Sequence, residues 1–241
     1  MGISEVSQFR SINYFFPYKD IIGKNWDSVL KNYIPKLVHT KDELPIYKEF
    51  DQNIGYIYPA VITKDEIQTV MKKFMNKKGI IIDLRCYPKE FSTSIISDYF
   101  FPTSKEFAKF TATSLQHLGK FEMSGNAKIG KANSNYYKGK IAILVDETIQ
   151  SASEFLTLVL RTALKSAVIG SQTAGTDGDL CEIPLPGGIM TAISGLGIYY
   201  PNGKGTQRTG ISIDIQVKPT LQSIRKGDDP LIQKAITFIN R

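Results

Sequence analysis

The chain has 241 residues, of which 42% are hydrophobic and 22% charged, and its net charge is +7. This length and apolar fraction suit one large folded domain and exclude a disordered or fibrous chain. No apolar run approaches the ~18 residues that a membrane-spanning helix needs. The lysines are scattered, and the densest group (residues 72, 73, 77 and 78) falls on the polar side of a predicted helix. We therefore expect a solvated basic face and no nucleic-acid partner.

The chain has two cysteines, Cys86 and Cys181, which lie far apart and lack the spacing of a metal site. A disulfide scaffold and structural zinc are therefore not expected. The first eleven residues contain no basic stretch followed by an apolar core, so this sequence shows no signal peptide.

The N-terminal part of the chain differs from the rest in its pattern. Apolar residues recur at three- and four-residue steps between Trp26 and Leu37, which predicts an amphipathic helix. Residues 41–50 are charged, contain Pro45 and are predicted to form a connector. We therefore divide the chain into an N-terminal helical extension with its connector (1–50) and an α/β domain (51–241).

From Asn53 onward, strand and helix patterns alternate. Thr63 and Glu66 match a capping box, which predicts the start of a helix that ends near Gly79. Continuous apolar strands joined by crossover helices are typical of a parallel sheet with right-handed βαβ units. The predicted strands cover residues 54–62, 80–84, 140–146 and 167–170, and further helices are predicted from Ser151 and over 229–240.

Two other stretches give a weaker pattern. Residues 89–137 are ambiguous, with a short helix predicted near 95–100 and a polar loop over 124–134. Between Gly170 and Val217 the chain is rich in glycine and β-like. Its glycines indicate turns and bulges and not a phosphate-binding loop, because no strand-to-helix glycine pattern accompanies them.

The most informative segment runs from Lys140 to Phe155, where a buried strand ends, a polar turn follows and Ser151 begins a helix. At a helix N-terminus a serine can act as a nucleophile, because backbone N–H groups there stabilise an oxyanion. Serine is also a preferred N-cap, and Glu154 three residues later completes a capping box. The local sequence alone favours the capping interpretation.

Further motifs, in the same order and spacing, resemble the carboxyl-terminal-processing (tail-specific) serine peptidases. The similarity is to their tricorn-core-like branch and to homologues common in gut Bacteroidetes, and it covers the chain from about Asn53 to its end. The motifs are Gly79-Ile-Ile-Ile-Asp-Leu-Arg85, Ser151-Ala-Ser-Glu154, Val168-Ile-Gly-Ser-Gln-Thr-Ala-Gly175, Ile183-Pro-Leu-Pro-Gly-Gly188, Tyr200-Pro-Asn-Gly203 and Gly210-Ile-Ser-Ile-Asp214.

This resemblance implies an α/β fold with a crotonase/ClpP-like βαβ spiral core. It also implies Ser151 as the nucleophile, the Ala152 N–H as one oxyanion donor and a second donor from the loop after Arg85. The implied reaction is peptide-bond hydrolysis with a peptide or unfolded protein as substrate, without a cofactor or metal. The family's usual location is extracytoplasmic, in the periplasm or at the cell surface.

The general base is not evident from the resemblance. Thr176 stands where relatives of the Ser-Lys type carry a lysine, and Gln207 stands where the tricorn-like branch carries an orienting carboxylate. The histidines of the chain are His39 and His117. His39 is the candidate base, since it lies in the half of the chain from which the tricorn-like branch takes its histidine. His117 is the weaker candidate.

Three functions follow as alternatives. The first is a serine endopeptidase, and the second is a non-catalytic relative that binds peptides or a partner in the former active-site cleft. Thr176, Gln207, the unusual Cys86-Tyr87 loop and the short connector, which occupies the place of the family's PDZ-like domain, favour the second. An acyl-CoA enzyme of crotonase-like fold ranks last because no CoA contacts can be located. The oligomeric state stays open.

Two residue groups have simpler interpretations. Asp177 and Asp179 flank Gly178, yet the spaced ligands of a calcium loop do not follow them. Cys86 is interpreted as a packed thiol, because no histidine is fixed beside it in the sequence.

Overall fold

The structure is a computed structural model that describes residues 45–114, 116–117 and 119–241. The amphipathic helix predicted between Trp26 and Leu37, and His39 after it, lie outside the described residues. Residues Pro45–Arg241 form one unit, and the following description concerns that unit.

A six-stranded sheet forms the centre of this unit. Its strands are β1 (Tyr47–Phe50), β2 (Ile54–Ile57), β3 (Gly79–Asp83), β7 (Lys140–Val145), β8 (Ser166–Gly170) and β12 (Ile215–Gln216). They lie in the order β1-β2-β3-β7-β8-β12, in which β1 pairs with β2 antiparallel and the other four pairings are parallel.

Helices cover both faces of this sheet, because its inner strands are apolar on both sides. Alternate residues of β3 and β7, such as Ile80 and Ile143, pack with helices α1 (Lys64–Phe74), α2 (Thr93–Phe100) and α3 (Ala152–Leu160). The intervening residues, such as Ile81 and Leu144, pack on the opposite face with α5 (Pro230–Asn240). A short helix, α4 (Leu221–Lys226), precedes α5.

Two smaller β-structures complete the unit. The antiparallel strands β4 (Lys105–Thr113), β5 (Phe121–Met123), β6 (Ala127–Ile129) and β11 (Ile198–Tyr199) form one of them. Phe107 of β4 contacts Phe155 of α3 edge-on, with their ring centroids 5.7 Å apart, which attaches this sheet to the core. The other is a hairpin of β9 (Leu180–Leu185) and β10 (Ile189–Ser194), which we call the arm.

The predicted α/β class is confirmed, as are the capping box of Thr63 and Glu66 and the buried strands β3, β7 and β8. The terminal helix is confirmed too, with Asp229 as its N-cap. The strand predicted over 54–62 ends at Ile57, and the polar loop predicted over 124–134 contains β6. Residues 47–50 of the predicted connector form the edge strand β1, whose charged side chains suit an exposed edge.

Candidate active site

Ser151 lies between β7 and α3, at the carboxyl end of the parallel sheet. A turn over residues 146–150 joins the two elements, and Asp146 stabilises it by accepting hydrogen bonds from the Thr148 N–H and hydroxyl at 2.9 and 2.6 Å. Ser151 itself has φ 48° and ψ −114°, a conformation that residues with a Cβ rarely adopt. Such strain costs about 1–3 kcal/mol and persists only where the surroundings impose it, as they do at functional sites.

The capping-box interpretation of Ser151 and Glu154 is wrong. The Ser151 side chain makes no capping hydrogen bond to the first turn of α3, so its hydroxyl is not used by the helix. The carboxyl group of Glu154 does not return to the Ser151 N–H, because a loop of residues 173–176 provides it with other donors.

Glu154, two residues of this loop (Thr173 and Thr176) and the adjacent Asp177 form a group that we call the loop cluster. Glu154 is fully buried and accepts from the Gly175 and Thr176 N–H groups, both at 2.8 Å, and from the Thr173 hydroxyl. Thr173 Oγ1 in turn accepts from the Ile211 N–H at 2.9 Å.

The same loop also contacts the turn before Ser151. The Ala174 N–H donates to the Ile149 carbonyl at 3.1 Å, two residues before Ser151. The loop thus holds the Ser151 turn from one side and the first turn of α3 from the other, which is how tertiary contacts impose the strained backbone.

Asp177 is the unusual member of the loop cluster. Its side chain is 2% exposed; Oδ1 accepts from the Gly178 N–H at 3.0 Å, and Oδ2 has no hydrogen-bond partner among the described residues. Burial, together with the nearby charge of Glu154, raises the pKa of Asp177 to about 7. No sequence pattern distinguishes Asp177 from Asp179, which is exposed.

Two backbone N–H groups are available near Ser151 as oxyanion donors. The Ala152 N–H, at the first residue of α3, donates to no carbonyl in the described part of the chain. In the loop after β3, the Cys86 N–H donates to the Leu84 carbonyl and the Lys89 N–H to the Pro59 carbonyl, at 2.6 and 3.1 Å. Pro88 has no N–H, which leaves the Tyr87 N–H as the donor of this loop without a described acceptor.

A hydrogen bond joins this loop to α3. The Ser153 hydroxyl, which is fully buried, donates to the Cys86 carbonyl. Since the carbonyl of Cys86 and the N–H of Tyr87 belong to one planar peptide group, this bond also fixes the direction of the Tyr87 N–H. Ser153 was part of the sequence motif, but only its contact with Cys86 reveals this positioning.

A second buried polar group lies at the end of β3, and we call it the strand-end cluster (Tyr56, Asp83, Arg85 and Asp229). Arg85 donates from Nε and Nη2 to the two Asp83 oxygens at 2.8 and 2.7 Å, and from Nη2 to Asp229 Oδ2 at 2.7 Å. The Tyr56 hydroxyl donates to Asp83 Oδ2 at 2.8 Å. Burial and the neighbouring Asp83 raise the pKa of Tyr56, so it stays a hydrogen-bond donor.

The other residues predicted for the site do not meet Ser151 through a hydrogen bond. The Thr176 N–H is used by Glu154, and the Gln207 side-chain amide donates to the Leu196 carbonyl at 3.0 Å. His117 is exposed in the loop between β4 and β5, and His39 lies outside the described residues. Within the described ranges, no side chain is hydrogen-bonded to Ser151 Oγ, so the base is not among the contacts described.

Among the described residues, no group of three or more His, Cys, Asp or Glu side chains is arranged to bind a metal ion. No helix in the same part of the chain is both long and apolar enough to span a membrane.

Comparison with known proteins adds the family. Residues 53–217 match the model of peptidase family S41. No curated protein sequence matches the chain.

Solved structures share the fold at low sequence identity. A protein from Parabacteroides merdae described as a peptidase superposes with a TM-score of 0.70 and 22% identity, over 80% of this chain and 63% of its own. Mature CPAF in complex with lactacystin superposes with a TM-score of 0.61 and 15% identity, over 78% of this chain and 52% of its own. The photosystem II D1 C-terminal processing protease superposes with a TM-score of 0.53 and 18% identity, over 70% of this chain and 43% of its own.

The chain therefore spans between about two fifths and two thirds of the length of these structures. Identities this low support a shared fold alone. The family model, in contrast, covers the segment from the first parallel strand, β2, to the last, β12, and includes Ser151 and the whole loop cluster. The chain belongs to peptidase family S41.

Proposed function

We propose that the protein is a serine peptidase that hydrolyses peptide bonds in peptides or unfolded proteins, with Ser151 as its nucleophile. The observation that carries this proposal is the strained backbone of Ser151 at a strand–turn–helix junction, where the side chain caps nothing. A serine used for capping would adopt an extended conformation, as Thr63 does with φ −90° and ψ 163°.

The proposed reaction begins when Ser151 Oγ attacks the carbonyl carbon of the scissile bond. The electron pair of the C=O bond moves to the oxygen, and the Ala152 and Tyr87 N–H groups stabilise the resulting negative charge. Each such donor contributes about 2.7–4 kcal/mol to transition-state stabilisation in serine peptidases. The amine then leaves with a proton, and water releases the acyl group from Ser151 by the reverse sequence.

Ser151 needs a base to accept its proton, and His39 is our candidate. A threonine hydroxyl and an amide are not bases at neutral pH, which excludes Thr176 and Gln207 from this role. Histidine is the side chain most often used for it. The chain has only one other histidine, so His117 provides a matched control.

A fluorophosphonate probe tests the nucleophile and the base in the same experiment. We expect labelling of the wild type, no labelling of Ser151→Ala, and labelling reduced at least 100-fold in His39→Ala but unchanged in His117→Ala. Absence of labelling in the wild type, or labelling that persists in Ser151→Ala, would refute the proposal.

The second candidate function is peptide binding without hydrolysis. It is favoured by the hydrogen bonds of Thr176 and Gln207, which occupy family positions for the base and its orienting group without supplying either. An unlabelled wild type that still binds an unfolded protein would support it.

The extracytoplasmic location is likewise a proposal, which fractionation of the source cells would test.

A further inference from the structure

The arm carries six of the fourteen large hydrophobic side chains that are exposed in the described chain. All twelve residues of β9 and β10 are exposed, and Gly187 and Gly188 close its turn with φ 86° and 77°. Ile189 is 61% exposed and Ile193 55%, although both belong to strands. A hairpin that packs on nothing is marginally stable in water, and contiguous exposed apolar residues mark interaction sites.

The strand register divides the arm into two different faces. Residues paired across an antiparallel ladder share a face, so Leu185 with Ile189, Ile183 with Thr191, and Cys181 with Ile193 lie together. Five of these six side chains are apolar, and we call this side the apolar face. The opposite face also has apolar side chains (Leu180, Pro184, Met190 and Ala192), but it carries Ser194 and Glu182, the single charged side chain of the arm.

The base of the arm adjoins the loop cluster. The Gly195 N–H donates to the Asp179 carbonyl at 2.9 Å, which closes the base of the hairpin two residues after Asp177. The Thr176 N–H, three residues before Asp179, is hydrogen-bonded to Glu154 in the first turn of the nucleophile helix. The arm therefore extends from the loop that holds the Ser151 turn.

We propose that the arm binds an extended, uncharged apolar segment of the polypeptide substrate, which adds to it as a third strand with alternate side chains beside those of the apolar face. This inference rests on the proposed function and assigns the place where the substrate docks. In the described chain, β9 pairs only with β10, so each strand has one edge with unpaired N–H and C=O groups. A third strand satisfies the hydrogen-bonding groups of one edge, and its alternate side chains pack against their neighbours on the apolar face.

The composition of the arm sets the chemistry of the segment. A charged side chain placed on the apolar face would lose water without gaining a partner. A second copy of the chain could also cover this face. Six side chains are few, however, against the ~20–30 residues a side of a stable protein interface, and continuity with the loop cluster favours a substrate.

The binding test uses full-length Ser151→Ala, which cannot cleave the probe. The probe is a fluorescent decapeptide of alternating valine and threonine, compared with a version N-methylated at alternate residues that cannot donate to a strand edge. We expect Ile189→Thr with Ile193→Thr to weaken binding of the first peptide at least tenfold. Leu180→Thr with Met190→Thr, on the opposite face, should leave it within twofold. The N-methylated peptide should bind at least tenfold more weakly.

Activity separates this inference from the proposed function. In the Ser151-containing protein, we expect the apolar-face variant to raise KM for an unfolded protein about tenfold, with kcat and fluorophosphonate labelling unchanged. Unchanged KM and unchanged peptide binding would overturn the arm inference and leave the peptidase proposal intact. Peptide binding through the apolar face in a wild type that is never labelled would refute the peptidase proposal alone. A dimer that the apolar-face variant converts to monomers, without peptide binding, would overturn the arm inference in favour of self-association.

Discussion

The strand-end cluster and the loop cluster both hold segments around Ser151, but they neutralise buried carboxyl groups in different ways. In the strand-end cluster, Arg85 lies between Asp83 and Asp229, and opposite charges meet at 2.7 Å. In the loop cluster, Glu154 and Asp177 are both acidic, and no lysine or arginine in the described chain donates a hydrogen bond to either. Backbone N–H groups and a threonine hydroxyl replace the cation.

This difference predicts two kinds of stability. Burial opposes the charge of Arg85, but its hydrogen bonds to Asp83 and the charges of Asp83 and Asp229 raise its pKa, so the cation that holds the end of β3 stays charged. A buried carboxyl group without a cation responds to pH, so the loop that holds the Ser151 turn becomes the pH-sensitive side of the site.

The largest expected effect is in the strand-end cluster. Arg85→Met leaves Asp83 buried without a cation, and we expect the free energy of unfolding at pH 7 to fall by about 3–5 kcal/mol. Urea denaturation measures it. Lys131→Met, which removes an ion pair whose side chains are 71% and 54% exposed, is the control and should change stability by less than about 0.5 kcal/mol. An equally small change for Arg85→Met would show that the strand-end cluster does not stabilise the end of β3.

The next effect depends on pH and tests the loop cluster. The pKa of Asp177 is raised to about 7 from an ordinary value of 3.8, so the folded state binds a proton that the unfolded state has released. Stability is therefore lost as pH rises from about 4 to 7, and Asp177→Asn removes this loss. We expect the stability gained by Asp177→Asn to be about 2 kcal/mol larger at pH 8 than at pH 5.

Urea denaturation of both proteins at the two pH values provides the comparison. Asp179→Asn is the matched control, because Asp179 is exposed and two residues away, so this variant changes the net charge without touching the buried carboxyl group. A pH-independent effect of Asp177→Asn would mean that Asp177 is charged in the folded protein throughout this range.

A smaller effect is expected for the hydroxyl that joins the loop cluster to the rest of the chain. Thr173→Val keeps the shape of the side chain but removes the acceptor of the Ile211 N–H and a donor to Glu154. Leaving these buried groups unsatisfied should cost about 2 kcal/mol in thermal or urea unfolding. Thr209→Val, whose hydroxyl donates to the Gly205 carbonyl in an exposed loop, should cost much less. Equal costs at the two positions would contradict a special role for Thr173.

The two clusters also explain why the sequence predicts some features and not others. Thr63 and Ser151 begin helices with a glutamate three residues later, so their local signals are equivalent. Of these two residues, only Thr63 forms the capping box. Residues 173–176 donate hydrogen bonds to Glu154 and so compete with a cap at Ser151, whereas no other segment of the described chain donates to Glu66 in this way. Local patterns therefore fixed the helices and buried strands, whereas contacts between distant residues decided the site.

The distances along the chain show why these contacts were missed. Arg85 and Asp229 are 144 residues apart, and Thr173 and Ile211 are 38 apart. No periodicity or cap signal connects such positions. The arm was predicted as β-structure, but the sequence could not show that its apolar face stays uncovered in the described chain.

The smallest effect concerns Ser151, where the two clusters act together. Glycine adopts φ 48° without the clash that a Cβ causes, so Ser151→Gly should be more stable than Ser151→Ala by about 1 kcal/mol. At Ser97, inside α2, the order should be reversed, since alanine is favoured over glycine in a helix. Urea denaturation of the four variants measures both differences, and a preference for alanine at Ser151 would contradict the strained backbone.

The same pair of variants shows which contact imposes the strain, the loop cluster or the Ser153–Cys86 hydrogen bond. If the loop cluster holds the turn, then adding Thr173→Val allows Ser151 to relax, and the advantage of glycine over alanine should shrink. An advantage that stays constant would assign the strain to the Ser153–Cys86 contact on the side of β3. Because the strained conformation directs Ser151 Oγ away from any capping role, the contact that imposes it also keeps the hydroxyl available for its proposed role as nucleophile.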